Sequence, residues 1–220
     1  EMRAEGYALG VDAEGVVIGA ESDAGVLYGT MTLRQMALAQ PAGAGLPHVR
    51  IHDWPAMKLR GIHDEISYGQ VSTMDNFKDM IRFLAEFKMN ALGIYIEDVY
   101  RFEKYPFIGV GRGALTRAEV DELEAFAKPL NVQIIPMFEM LANQGMLLSL
   151  PEMVEYAEYP GAHSFAINEK SRQFFEDTVA ELAEAFDSPY LHAGLDESWD
   201  IGFGKTEAAV SAKGRAVVHA

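Results

Sequence analysis

Residues 91–98 read Ala-Leu-Gly-Ile-Tyr-Ile-Glu-Asp: a near-continuous apolar run that stops on two acids. A strand that is apolar on both faces is covered on both faces, which is the habit of parallel sheets. The same shape recurs along the chain. Lys58–His63 leads into Asp64-Glu65, Val132–Phe138 into Glu139, and Tyr190–Leu195 into Asp196-Glu197. Helical spacings fall between these runs. Phe77, Met80, Ile81 and Leu84 follow i, i+3, i+4, i+7, and Val120, Leu123, Ala127 and Leu130 do much the same. Phe175, Val179, Leu182 and Phe186 mark a third helix, and Thr116 with Glu119 forms a capping box ahead of the second. Strands alternating with amphipathic helices predict an α/β fold with helices on the sheet.

Before about Asp53 the rhythm differs. Tyr7–Val11 and Val16–Ala20 are β-leaning runs joined by Asp12-Ala13-Glu14-Gly15, a hairpin signal. Asp23 stands at an N-cap position before Val26, Leu27, Met31, Leu33 and Met36. Pro41 to Pro47 is a loop leading into the α/β part. The pattern divides the chain into residues 1–53, a small α+β domain, and 54–220.

Composition excludes several functions. Lys plus Arg number 18 against 33 Asp plus Glu, a net charge of −15, and no basic stripe offsets it, so nucleic acid is excluded as a partner. The chain has no cysteine, which removes disulfides, thiolate metal sites and Cys nucleophiles. That absence is compatible with a cytoplasmic, periplasmic or secreted protein, and nothing in the residues sets an oligomeric state. No apolar run approaches the roughly 18 residues of a membrane span. The N-terminus, with Glu1, Arg3 and Glu5, carries no signal-peptide pattern, the expectation being a processed end or an internal cut.

Acids are poor strand formers and costly to bury. Four strand endings in carboxylates therefore predict a cluster at the C-terminal edge of one parallel sheet, where α/β folds put their ligand sites. In an extended strand His192, Gly194 and Asp196 share one face and Leu191, Ala193 and Leu195 the other. The leucines are expected to pack on helices, and the His/Gly/Asp face to look into the cleft. Glu197 then joins Asp196 in one pocket only if the chain turns directly after residue 196. Crowded carboxylates raise one pKa and leave an acid able to donate a proton near neutrality, the requirement of glycosidic bond cleavage.

These residues resemble a known family. His192-Ala-Gly-Leu-Asp196-Glu197 is similar to the His-x-Gly-x-Asp-Glu signature of family 20 glycoside hydrolases, the β-N-acetylhexosaminidases. Asp53-Trp54-Pro55 with Arg60-Gly61 resembles that family's entry into its first barrel strand, and Pro136-Met-Phe-Glu139 with Asn143 its third-strand segment. Tyr28-Gly29 and Thr32-Leu33-Arg34-Gln35 look like the small domain preceding the barrel. Glu97-Asp98-Val99-Tyr100, Tyr105-Pro106-Phe107 and Gly202-Phe203-Gly204-Lys205 resemble a compact bacterial exo-N-acetylglucosaminidase subgroup.

The resemblance implies the small domain followed by the first half of a (β/α)8 TIM barrel. It implies an amino-sugar glycan or glycoconjugate substrate, no cofactor and no metal. It also implies retaining, substrate-assisted hydrolysis through an oxazolinium intermediate. By that pattern Asp196 orients the substrate's acetamido group and Glu197 is the general acid and base. Arg60, Glu97, Asp98, Tyr100, Glu139, Asn143, His192 and Trp199 are implied as substrate-binding residues. In that role Arg60 binds sugar hydroxyls, and Trp199 and Tyr100 form a stacking wall.

The chain departs from the pattern at four places: Asn143 where the family has His, Glu139 and Glu65 where it has Asp, and Tyr68 where many relatives carry Arg. Too few residues follow Asp53 for a barrel of roughly 250 residues. The expectation is a segment of a longer enzyme, inactive alone. Two alternatives stay open: a degenerate sugar-binding homologue, motivated by Asn143 and Tyr68, and a barrel hydrolase with a metal on His63, Glu97, Glu139 and His192.

Other motifs read as structural. Gly204-Lys205-Thr206 lacks the earlier glycine of a phosphate loop, which is Trp199 here. Gly109-Val-Gly111-Arg112-Gly113 is expected as a flexible loop with a solvated Arg112, and Met137, Met140, Met146 and Met153 as adaptable packing. His48, His52, His163 and His219 show no evident partners.

Overall fold

A computed structural model describes residues 4–213, so Glu1, Arg3 and His219 lie outside the described residues. The chain forms a small antiparallel sheet with one helix and then a three-stranded parallel sheet alternating with helices. Its contacts gather into two compact units. One comprises residues up to Ile62 with Asp75–Leu92 and Ala125–Gln133; the other comprises His63–Met74, Gly93–Glu124 and the chain from Ile134.

In the first unit, β1 (Tyr7–Asp12) is the centre of an antiparallel sheet between β2 (Gly15–Ala20) and β3 (Val49–Asp53). Alternation along β1 buries Tyr7, Leu9 and Val11 on one face, where Tyr28 of α1 (Asp23–Leu38) and flanking Ile18, Leu33 and Ile51 complete a core. The hairpin is where the turn signal predicts it. The cap is one residue earlier than predicted: Ser22 is extended and its hydroxyl accepts from Gly25 N at 3.1 Å. Strand β3 was hidden by the Pro- and Gly-rich loop before it.

The second sheet has the order β4-β5-β6, with β4 at Gly61–Glu65, β5 at Ala91–Ile96 and β6 at Gln133–Phe138. Backbone bonds link the starts of neighbouring strands, Ala91 N to Arg60 O and Gln133 N to Asn90 O, and Glu139 N meets Ile96 O past the other ends. The strands are therefore parallel, and β5 is buried along its whole length, as its apolar run demands. Helices α2 (Met74–Glu86) and α3 (Arg117–Ala127) are the crossovers. Their predicted apolar faces hold: Phe77, Ile81 and Leu84 are buried, as are Val120, Leu123 and Ala127. The capping box is present, with Thr116 N donating to Glu119 Oε2 at 2.8 Å and Glu119 N to Thr116 Oγ1 at 3.3 Å.

After β6 come α4 (Gly145–Leu148), α5 (Glu169–Ala185) and α6 (Glu207–Lys213). The buried face of α5 carries Phe174, Thr178, Leu182 and Ala185, with Phe186 just beyond it: Leu182 and Phe186 are as predicted, while Phe174 and Thr178 replace Phe175 and Val179. Thr178 is accommodated there because its hydroxyl donates to Phe174 O at 2.8 Å. The fourth predicted strand is reduced to a single parallel bridge, Met137 with His192. Pro189 precedes it and Gly194 turns left-handed (φ 53°), leaving few residues extended between them.

Candidate active site

The ends of β4, β5 and β6 bring Glu65, Glu97 and Glu139 into mutual electrostatic contact, and the segment after His192 adds Asp196. The chain does turn after Asp196: Glu197 is left-handed at φ 51°, and Trp199 N closes the turn on Glu197 O at 2.8 Å. A left-handed non-glycine residue is uncommon and marks a place where the surroundings impose the backbone. Glu197 is exposed and acts electrostatically on the Tyr68 hydroxyl, as do Glu97, Glu65 and Glu139. An open hollow of about 630 Å³ is lined by His192 to Asp196.

The cluster holds protons. Glu97 is 1% exposed, and burial pushes its carboxyl up to about 7 despite a hydrogen bond from Tyr95 (3.1 Å), with Glu65 and Asp98 adding repulsion. Glu139 is 3% exposed and is pushed up to about 7 by burial first and by Asp196 next. Its Oε2 has no hydrogen-bond partner. Glu65 Oε1 accepts from both the amide (2.7 Å) and hydroxyl (2.5 Å) of Ser67.

Several expected roles change. Arg60 stands before β4, at the opposite end of that strand from Glu65, and its guanidinium is spent within the first unit. It donates to Glu5 (3.0 and 3.3 Å), the Tyr28 hydroxyl (3.1 Å) and the carbonyls of Met57, Lys58 and Lys88. No fork remains for a sugar. Tyr100 is 1% exposed and packs on Phe102 and Phe186, so it is core and not a stacking wall. Both oxygens of Asp98 are taken by Arg112, at 2.7 Å to Nε and 3.2 Å to Nη2. Arg112 is thus no solvated loop residue. His192 is exposed, and its Nδ1 accepts from Gly194 N at 3.2 Å. Leu195 is 59% exposed and not packed on a helix, because the left-handed Gly194 breaks the alternation assumed for the strand. Asn143 lies in the loop after β6 with φ 55°. Trp199 is 79% exposed in the loop after Glu197.

That loop is anchored by the motif that resembled a phosphate loop. Lys205 Nζ donates to the carbonyls of Val154, Glu155 and Ala157 (2.8, 3.0 and 2.8 Å), while the buried Glu158 carboxylate accepts from Gly202 N and Thr206 N. Sequence reasoning missed Tyr95, Ser67 and Arg112. Tyr95 was legible, since it shares the period-2 face of Glu97. Among the described residues no group of three or more His, Asp or Glu is arranged to hold a metal ion, His63 instead lying beside the Tyr95 ring.

A small α+β domain followed by parallel strands that pool carboxylates at their C-terminal ends defines an α/β segment with an acidic site at the sheet edge. Residues 1–54 match the model of glycosyl hydrolase family 20, domain 2, and residues 60–216 match that of the family 20 catalytic domain. The chain belongs to glycosyl hydrolase family 20. The beta-N-acetylhexosaminidase of Cellulomonas fimi is 33% identical over 218 residues, spanning 88% of this chain and 44% of that protein. A beta-hexosaminidase of Porphyromonas gingivalis is 27% identical over 89% of this chain and 29% of its own length. The family 20 beta-N-acetylhexosaminidase of Streptomyces coelicolor A3(2) superposes with a TM-score of 0.80 at 23% identity, covering 100% of this chain and 50% of that one. The chain thus spans half or less of the length of these relatives.

Proposed function

We propose that an intact enzyme containing this segment removes terminal non-reducing β-linked N-acetylhexosamine residues, GlcNAc or GalNAc, from glycans or glycoconjugates. The reaction retains configuration and uses the substrate as nucleophile. The acetamido oxygen attacks C1 as the glycosidic C–O bond breaks, and the leaving oxygen takes the proton of Glu197. Asp196 orients the acetamido N–H and offsets the positive charge of the oxazolinium. Water then adds to C1, gives its proton to Glu197, and the acetamido group is released. His192, Asn143 and Trp199 are proposed as sugar contacts, with Glu97 and Glu139 shaping the floor. Residues 1–53 are proposed as the auxiliary domain and 54–220 as the first half of the barrel.

The reading is supported above all by the left-handed turn at Glu197, directly after an Asp196 that acts on the buried Glu139 carboxyl. Family membership supplies the chemistry that such a pair performs. The test is turnover of an aryl N-acetyl-β-glucosaminide by the intact protein. Glu197→Gln is expected to lower kcat by about 10²–10⁴-fold, the contribution of one general acid–base, and a chelator to change nothing. An intact protein that binds an N-acetylglucosamine thiazoline without turnover is instead the sugar-binding homologue.

A further inference from the structure

The Gly109-Val-Gly111-Arg112-Gly113 loop brings a guanidinium to the end of β5. That loop is shaped, not slack. Gly109, Gly111 and Gly113 are all left-handed (φ 73°, 72° and 72°), and Arg112 N closes a turn on Gly109 O at 3.2 Å. A Cβ on Gly109 would collide with Ala114 and come within 2.9 Å of Asp98 O, so only glycine lets the loop approach the end of β5 this closely. The approach delivers Arg112 to Asp98 in the two-point geometry that suits a guanidinium. The same Nη2 donates to Ser67 O at 2.5 Å, and Ser67 in turn holds Glu65 through its amide and hydroxyl, while Asp98 directly follows Glu97.

We propose that Arg112 is a positioning residue of the site: through Asp98 and Ser67 it locks the end of β5 to the segment following β4, fixing Glu65 and Glu97. The alternating glycines are the means of bringing it there. Lysine is no equivalent, because a point charge cannot hold both Asp98 oxygens and the Ser67 carbonyl at once. The effect on turnover rests on the glycosidase reading above; the locking of the two strand ends does not.

The test compares Arg112→Met and Arg112→Lys with the native intact protein by hydrogen–deuterium exchange and by steady-state kinetics, with Glu197→Gln alongside. In Arg112→Met, exchange over residues 64–70 is expected to rise about ten- to a hundredfold, the factor that losing a charge-assisted pair implies, while exchange in α5 stays unchanged. The kcat is expected to fall by at least about tenfold with KM within about threefold, since the loss is one of alignment and not of sugar contact. Arg112→Lys is expected to recover part of kcat while exchange over 64–70 stays raised. Unchanged exchange at 64–70 in Arg112→Met overturns the proposal. Raised exchange with unchanged kcat overturns its link to catalysis. Should the native protein be inactive, the glycosidase reading fails and exchange alone decides the role of Arg112.

Discussion

The carboxyl group of Glu139 lies directly against the Cα of Gly194: a Cβ at that position would overlap both carboxyl oxygens, and the glycine is left-handed at φ 53°. The Gly of the His-x-Gly-x-Asp-Glu signature therefore answers two demands at once, a backbone conformation and room for a buried acid from β6. Gly194→Ala is expected to cost roughly 1–3 kcal/mol in backbone strain alone. For a domain of this size that lowers the melting temperature by about 2–4 °C per kcal/mol. Activity should suffer more, by about a hundredfold in kcat/KM, because the displaced Glu139 moves Asp196, and misplacements near 1 Å have that effect. A Gly194→Ala enzyme with native turnover would show that the close approach is incidental.

Glu97 gives a pH dependence of known sign. Its carboxyl is raised to about 7 in the folded chain from an ordinary value near 4.5, so the native state binds the proton more tightly than the unfolded state does. Stability from this group is present below about pH 4.5, declines as pH rises towards 7, and is gone above it. Glu97→Gln keeps an acceptor for Tyr95 and cannot ionise. Urea midpoints at pH 5 and pH 8 should show the variant gaining on the native protein at the higher pH. An equal difference at both values would mean that Glu97 is ionised throughout.

Arg60 separates a structural arginine from a sugar-binding one. Burial alone would raise the carboxyl of Glu5, yet hydrogen bonds from Arg60, Asn90 and Asn131 hold it below the usual range. Both partners of the Arg60–Glu5 pair are largely buried. Breaking such a pair strands a charge, so Arg60→Met is expected to cost about 3–5 kcal/mol. Its KM, measured well below the melting range, should stay native. A raised KM with unchanged melting would restore the sugar-binding role.

The α/β alternation, the acid-tipped strands, the capping box at Thr116 and the turn required at Glu197 were all legible, because each is set by residues within a few positions of one another. What was not legible depends on partners distant in sequence. Arg60 is claimed by Glu5, 55 residues away, and Arg112 by Ser67, 45 residues away; an arginine's donors look the same whichever acceptor they find. Tyr100 read as a candidate sugar wall since an aromatic beside acids fits either role, and only its packing on Phe102 and Phe186 decides for the core. In the first half of α5, Phe174 and Thr178 replace the predicted Phe175 and Val179, because Thr178 hides its hydroxyl on its own helix and so passes for apolar.

Lys205 carries the last prediction. Its ammonium uses its three donors on the carbonyls of Val154, Glu155 and Ala157, and its amide donates to Glu158 O at 3.0 Å. The Glu158 carboxylate returns the contact by accepting from Gly202 and Thr206, and Thr206 accepts from Ile167 N at 2.8 Å. The loop bearing Trp199 is thus tied at its far end by a charge-assisted knot. Lys205→Met leaves three carbonyls without their donor, two of them open to water, at a cost of about 0.5–1.5 kcal/mol. The chain has two tryptophans, so Trp54→Phe leaves Trp199 as the sole indole reporter. In that background Lys205→Met should lower the steady-state anisotropy of Trp199 along with the melting temperature, since a freed loop lets the exposed ring turn faster. A lower melting temperature with unchanged anisotropy would confine Lys205 to the Val154–Ala157 segment, and the hold on the Trp199 loop would then rest on Glu158 alone.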